Sequence, residues 1–227
     1  MPDKSITHIF FDIGNVLLKR KNDLWAVASE CLGVSRDDYS NAVAEINENH
    51  LLTQQLWREA STLEKEIEFN GEFSREIQRR LGLEVDEKKS RFLAGIFTRR
   101  SYHLTEGAHE ILAWLKKQGY VLGVISNAPI SRRHYEMKDH ELEQYFDVVV
   151  LSRDIAVDKP HPDIYKHALN ITESIASHSA MIDDKLENLL TAQNLGFKEL
   201  VLFGEEATNL PTGLRQISRL EQLKKIF

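Results

Sequence analysis

An α/β fold, a Rossmann-like parallel sheet core with an inserted α-helical cap domain, is what this sequence predicts. Three observations lead there. Short apolar runs end abruptly at turn signals, as strands buried on both faces do, and HIFF before Asp12 is the first of them. Stretches of helical periodicity separate these runs, and strands that alternate with helices imply right-handed crossovers in one parallel sheet. Between Lys19 and about Tyr102 the periodicity is helical throughout, with no β-rich run.

The first stretch is His8 to Leu18, HIFFDIGNVLL. Asp12 ends its strand, and open α/β sheets place their ligand crevice at the carboxyl ends of strands. Gly14 and Asn15 both tolerate backbone angles that other residues avoid, so a sharp turn is expected there. Five helices are then expected. Leu24 to Leu32 closes at Gly33, and a second opens at Ser35 with Asp37 and Asp38 in its first turn, where carboxylates favour a helix. Leu56, Trp57, Ala60, Leu63 and Ile67 mark a third, Phe73 to Leu81 a fourth, and Asp86 to Phe97 a fifth.

Alternation resumes at Thr105, where a helix with Ile111, Leu112, Trp114 and Leu115 runs to Gly119. Strands follow at Tyr120–Ile125, Asp147–Leu151, Ser179–Ile182 and Glu199–Phe203. Helices follow the 156–162 loop and Asp184, the second ending at Gly196, and an amphipathic tail closes the chain. Residues 1–18 and 103–227 therefore form the expected core domain, and residues 19–102 the helical cap.

Composition narrows the function classes. Lys and Arg total 29 against 35 Asp and Glu, a net charge of −6. Nucleic-acid and anionic-membrane binders need a basic face, and the clusters Lys19-Arg20-Lys21, Arg79-Arg80 and Arg99-Arg100 are short. The lone Cys31 excludes an internal disulfide and a cysteine metal site. No apolar stretch approaches the ~18 residues of a membrane span, so a cytoplasmic setting is the expectation. His134, His140, His161 and His167 lack metal-ligand spacing, and no motif marks an oligomer interface.

Four polar stations follow predicted strands: Asp12, Ser126 with Asn127, Lys159, and the pair Asp183-Asp184. In a parallel sheet they converge on one edge. A carboxylate can attack phosphorus, as aspartyl-phosphate enzymes do, once a hard cation such as Mg²⁺ on one or two carboxylates offsets its repulsion from phosphate. A hydroxyl and an ammonium would hold the remaining phosphoryl oxygens. Adjacent carboxylates at a buried strand end repel unless a cation or donors pair with them.

These residues resemble the haloacid dehalogenase-like hydrolases, whose members are mostly phosphatases. The resemblance rests on FFDIGNVLL, VISN, DKPHPDIY and MIDDKLENLLTAQNLGF, and the helical segment falls where that family inserts a cap. The chain looks most like the branch with Gly-Asn-Val after the nucleophile, which includes sugar-phosphate phosphatases similar to α-glucose-1-phosphate phosphatase. The resemblance implies Asp12 as nucleophile and metal ligand, the Gly14 carbonyl and Asp183 as further ligands of Mg²⁺, and Ser126 and Lys159 as phosphate-binding and catalytic groups. It places Asp184 and Asn188 where the family holds or orients metal-bound water.

Two departures stand out. Most family phosphatases carry a second Asp two residues after the nucleophile, as general acid and base, and here Gly14 stands in that position. Asp158 beside Lys159 would offset part of the lysine's charge. The expected activity is Mg²⁺-dependent hydrolysis of a small phosphorylated substrate, with a sugar phosphate as the candidate because an anomeric oxygen leaves more readily than an ordinary alkoxide. The alternatives are a dehalogenase-type hydrolase, for which Gly14 is no defect, and a phosphate- or partner-binding protein with little turnover. Arg20, close after the first strand, is the expected contact to the substrate anion, with Ser126, Asn127 and Lys159.

Overall fold

The structure is a computed structural model, described here for residues 5–21, 23–48, 62–100, 102–204 and 209–227. It divides into two compact units, one of Met1–Lys19, His103–Ala128 and Met137–Phe227, the other of Arg20–Tyr102 and Pro129–Glu136. The chain therefore passes between the units four times.

The first unit is built on a six-stranded sheet: β1 (His8–Phe11), β4 (Val121–Ser126), β5 (Val148–Leu151), β6 (Ser179–Asp183), β7 (Glu199–Phe203) and β8 (Leu214–Ile217). Their order is β5-β4-β1-β6-β7-β8 and every pairing is parallel. Central strands covered on both faces read as continuous apolar runs, and in β1 Ile9, Phe10 and Phe11 are all buried. Helices α5 (Ala108–Lys117), α6 (Pro162–Ile171) and α7 (Leu186–Asn194) belong to the same unit. Ile164, Tyr165 and Ala168 of α6 and Leu189 and Ala192 of α7 pack with Phe10, Ile125 and Met181 of the sheet.

Register positions the carboxyl edge. Phe11 pairs with Val124 on one side and Ile182 on the other. Asp12 thus follows β1 level with the end of β6, and its N–H donates to the Ile182 carbonyl at 2.8 Å. The turn after Asp12 closes through Leu17 and Leu18 N–H groups donating to the Ile13 carbonyl, each at 2.9 Å. Asn15, not Gly14, takes the left-handed conformation there, at φ 59°, which Asn tolerates better than most residues.

The second unit holds α1 (Leu24–Leu32), α2 (Arg36–Glu48), α3 (Leu63–Arg80) and α4 (Glu87–Thr98). Gly33 ends α1 at φ 75° and Ser35 Oγ accepts from Asp38 N–H at 3.1 Å, both as the sequence suggests. One long helix replaces the two expected on either side of Gly71. Its interior polar residues are satisfied: Asn70 Nδ2 donates to Thr98 Oγ1 at 2.9 Å and Gln78 Nε2 to Ser90 Oγ at 2.8 Å. Leu56, Trp57 and Ala60 lie outside the described residues. The 129–136 segment is fastened to this unit by buried Glu66, which accepts from Ser131 N–H at 2.8 Å and Oγ at 2.6 Å.

Three short strands differ from expectation. β2 (Leu18–Arg20) and β3 (Tyr102–Leu104) form a two-stranded ribbon, and β8 occupies what reads in sequence as the amphipathic tail. After β4 the chain is helical over residues 131–139, π-helical across Arg132–Met137, and then makes a 3₁₀ turn over Glu143–Tyr145.

Gly123 is fixed by a close approach. A Cβ there would lie 2.5 Å from Phe10 Cδ1 and 2.9 Å from Val148 Cγ1. Overpacking a core strand costs about 1–3 kcal/mol, so Gly123→Ala is expected to lose that much in urea denaturation, and an unchanged midpoint would contradict the packing.

Candidate active site

At the carboxyl edge, one ammonium sits between two carboxylates. Lys159 Nζ donates to Asp12 Oδ1 at 2.9 Å and to Asp183 Oδ2 at 2.7 Å. The Lys159 side chain is 1% exposed, Asp183 0% and Asp12 10%, so all three groups meet with little water to screen them. Burial alone would lower the pKa of Lys159, but the charges of Asp12 and Asp183 outweigh it and hold the ammonium above its ordinary value. Burial pushes the Asp183 carboxyl up to about 6, with the Lys159 ammonium opposing that rise and the Asp12 charge adding to it.

Each group is fixed by its own local structure. Lys159 precedes Pro160 across a cis peptide bond, and its backbone is gripped by Asn127. Asn127 Oδ1 accepts from Lys159 N–H at 2.6 Å while Nδ2 donates to the Lys159 carbonyl at 2.7 Å. Asn127, expected to touch substrate, thus spends its amide on placing the lysine. Asp158 is exposed while Lys159 is buried. Asp183 Oδ1 accepts from Lys185 N–H and from Asn188 Nδ2, both at 2.9 Å. Buried Tyr165 donates from its hydroxyl to the Asn188 carbonyl at 3.0 Å.

Asp184 turns out differently from Asp183. It is only half-buried and accepts from Asn15 Nδ2 at 2.8 Å. The buried like-charge neighbour of Asp183 is therefore Asp12, from another strand, and not the adjacent Asp184. Ser126 closes β4 and is 3% exposed. Gly14 follows at the turn, where a Cβ would stand 3.6 Å from Asp12 Oδ2, an ordinary contact. Arg20 belongs to the other unit, where it lines a cavity described below. Sequence reasoning missed Asn15, Lys185 N–H and Tyr165, which act only through long-range or backbone contacts.

Asp12, Asp183 and Asp184 each present a carboxylate oxygen within 4.8 Å of the other two. Three hard oxygen donors suit Mg²⁺ or a similar cation. Asp12 and Asp183 carry two negative charges against one ammonium, and Asp184 adds a third. Asn188 Oδ1 is buried with no hydrogen-bond partner among the described residues, an acceptor suited to a water on a bound ion. The residues present fit a divalent cation.

A parallel sheet whose carboxyl edge gathers a buried lysine and three carboxylates defines a hydrolase-type α/β site. The chain belongs to the haloacid dehalogenase-like hydrolases, whose family model matches residues 38–202. Among sequence relatives, pyrophosphatase PpaX of Bacillus mycoides is 31% identical over 97 residues, 43% of this chain and 45% of the relative. The glyceraldehyde 3-phosphate phosphatase of Pyrococcus furiosus is 33% identical over 131 residues, 54% of this chain and 52% of the relative. The match thus spans about half the length of each. A phosphatase from Thermococcus onnurineus has the same fold, with TM-score 0.62 and 20% identity over 97% of both chains. So does the L-2-haloacid dehalogenase RSc1362, with TM-score 0.65 and 16% identity over 97% of this chain and 98% of that one. YfnB of Bacillus subtilis, solved bound to magnesium, has TM-score 0.63 and 21% identity over 97% of this chain and 98% of that one.

Removing one partner of a buried ion pair leaves uncompensated charge and costs about 3–5 kcal/mol. Lys159→Met is expected to lose that much stability in chelator-treated protein at neutral pH, measured by urea denaturation. A loss within the 0–1 kcal/mol typical of surface pairs would mean the cluster is not buried as described.

Proposed function

We propose that this protein hydrolyses a small phosphate monoester through an aspartyl-phosphate on Asp12, with Mg²⁺ as cofactor. The observation that carries the reading is the Lys159 ammonium held 2.9 Å from Asp12 and 2.7 Å from Asp183 in a site nearly closed to water. The curated relatives named as phosphatase and pyrophosphatase support it. An Asp12 carboxylate oxygen forms a bond to phosphorus as the bond to the leaving oxygen breaks. A water then cleaves the acyl phosphate and regenerates the carboxylate.

Asp12, Asp183, Asp184 and the Gly14 carbonyl would hold Mg²⁺. When bound it supplies positive charge that offsets the repulsion between carboxylate and phosphate. Lys159 stays protonated beside Asp12 and presents a compact charge to a phosphoryl oxygen, and the Ser126 hydroxyl offers a further hydrogen bond. Asn127 serves as a positioning residue, because its amide holds the backbone of Lys159. Asn188 does the same for Asp183.

Asp12→Asn removes the attacking oxygen's charge without changing its size. It is expected to cut Mg²⁺-dependent turnover of 4-nitrophenyl phosphate by roughly 10³-fold or more while the fold, read by circular dichroism, stays intact. Substantial turnover in the folded variant would overturn the covalent mechanism. A second reading, attack of Asp12 on a halogen-bearing carbon, is favoured by Gly14, because halide leaves without a proton. Metal-independent release of chloride from 2-chloropropionate is its test.

Gly14 also governs which phosphate esters react. With no acid in the first loop, rate should fall steeply as the leaving oxygen becomes more basic, across aryl phosphates of graded pKa under conditions where chemistry limits. On the same argument sugar 1-phosphates outrun sugar 6-phosphates. A Cβ at Gly14 would make only an ordinary contact with Asp12 Oδ2. Gly14→Asp is expected to flatten the dependence and raise turnover of the poorest leaving groups, by up to the ~10²–10⁴-fold that general acid catalysis supplies. A series already flat in the wild type would place the acid elsewhere.

A further inference from the structure

The helical unit holds a cavity of about 370 Å³, open to solvent, among α1, α2, α3 and α4, a size that suits a small organic ligand. Its walls are aromatic. Trp25 stands edge-on to Tyr39 with ring centroids 6.1 Å apart, and Phe69 stacks on Phe73 at 5.8 Å. Leu24, Val43 and Phe97 add to the apolar lining, and with Tyr39 they belong to the packed core of this unit. These walls are therefore held by packing.

The amides and cations in the lining are Asn47, Asn70, Arg20 and Arg100. Thr98 Oγ1 donates to the Ala94 carbonyl at 2.8 Å, so its contact with Asn70 at 2.9 Å must be donated by Asn70 Nδ2. Arg100 is half-buried and anchored by its Nε, which donates to the Phe97 carbonyl at 2.8 Å. Arg20 is the second cation of the lining. Among the described residues, no carboxylate lines the cavity; the charge of buried Glu136 is felt at Arg100 from outside the lining and leaves Arg20 without a carboxylate in the cavity wall.

We infer that this cavity binds a small organic acid with an apolar, ring-sized body, the body lying against the aromatic walls and the acidic group meeting Arg20 and Arg100. Carboxylate and phosphate both match a guanidinium bidentately, so either serves as the acidic group. A bare sugar phosphate fits less well, because most of its hydroxyls would face Val43 and the phenylalanine rings without partners. The inference stands on the helical unit alone and does not depend on the chemistry at Asp12.

Calorimetric titration of the full-length chain tests it, with 1-naphthoate and 1-naphthyl phosphate as ring-bearing acids. Acetate tests the charge without the ring, and 1-naphthylmethanol the ring without the charge. The Asp12→Asn variant is titrated as well, so binding is read without turnover. Saturable binding of one or both naphthyl acids is expected in both proteins, with acetate and the alcohol weaker by about tenfold or more. Arg20→Gln, at an exposed position that tolerates substitution, Arg100→Gln and Phe73→Ser should each weaken the ring-bearing acids by about tenfold or more. Tighter binding of one naphthyl acid identifies the acidic group. Absence of saturable binding, or binding unchanged in all three pocket variants, overturns the inference. A chain that binds these acids yet hydrolyses no phosphate ester would overturn the phosphatase reading alone.

Discussion

The Lys159 ammonium between Asp12 and Asp183 is the interaction on which the site depends, and burial makes it a demanding one. Three ionised groups with almost no exposure are stable only while each compensates the others. The surrounding structure is organised to keep them so. The sheet register levels Asp12 with the end of β6, Asn127 holds the lysine backbone on both its polar atoms, and Asn188 with Lys185 N–H holds the far oxygen of Asp183. None of these supports touches a reacting atom in the proposed chemistry. They fix the direction of the charges, and direction is what an electrostatic site needs before a substrate arrives.

The balance of charge explains why such a site calls for a cation rather than merely tolerating one. One lysine leaves the carboxylates in excess, and the orphaned Asn188 oxygen adds an acceptor with nothing to accept from among the described residues. A divalent ion with its waters relieves both conditions at once.

Much of this was legible in the sequence, and the reason is physical. Strands buried on both faces must be apolar without interruption, so β1, β4, β5, β6 and β7 stand out, and the polar residues at their ends stand out against them. β8 escaped because Arg215 is exposed and Gln216 half-buried in a four-residue edge strand, and β2 and β3 are too short to carry a period. α3 was split because Asn70 and Gly71 resemble a break, and only the contact to Thr98 from another helix reveals that Asn70 is satisfied. The site followed the same division. Its carboxylates and lysine are visible as motifs, whereas the grip of Asn127 on Lys159 and of Asn15 on Asp184 spans 32 and 169 residues and leaves no local trace. The adjacency of Asp183 and Asp184 suggested one buried pair, but strand alternation sends the two side chains to different partners.

The four passages of the chain between its units bear on how this protein can be taken apart. A helical insertion with two junctions can be excised or transplanted by cutting at both. Here the segment Pro129–Glu136, directly after β4 and its Ser126-Asn127 turn, is fastened to the helices through Glu66 and Ser131, and Arg132 Nη2 donates to Tyr102 Oη at 2.8 Å. Deleting residues 20–102 would strand that segment, taking Glu66 from the buried Ser131 and Tyr102 from the buried Arg132. A minimal sheet domain, or a chimera that borrows the helices of a relative, therefore has to exchange both pieces together.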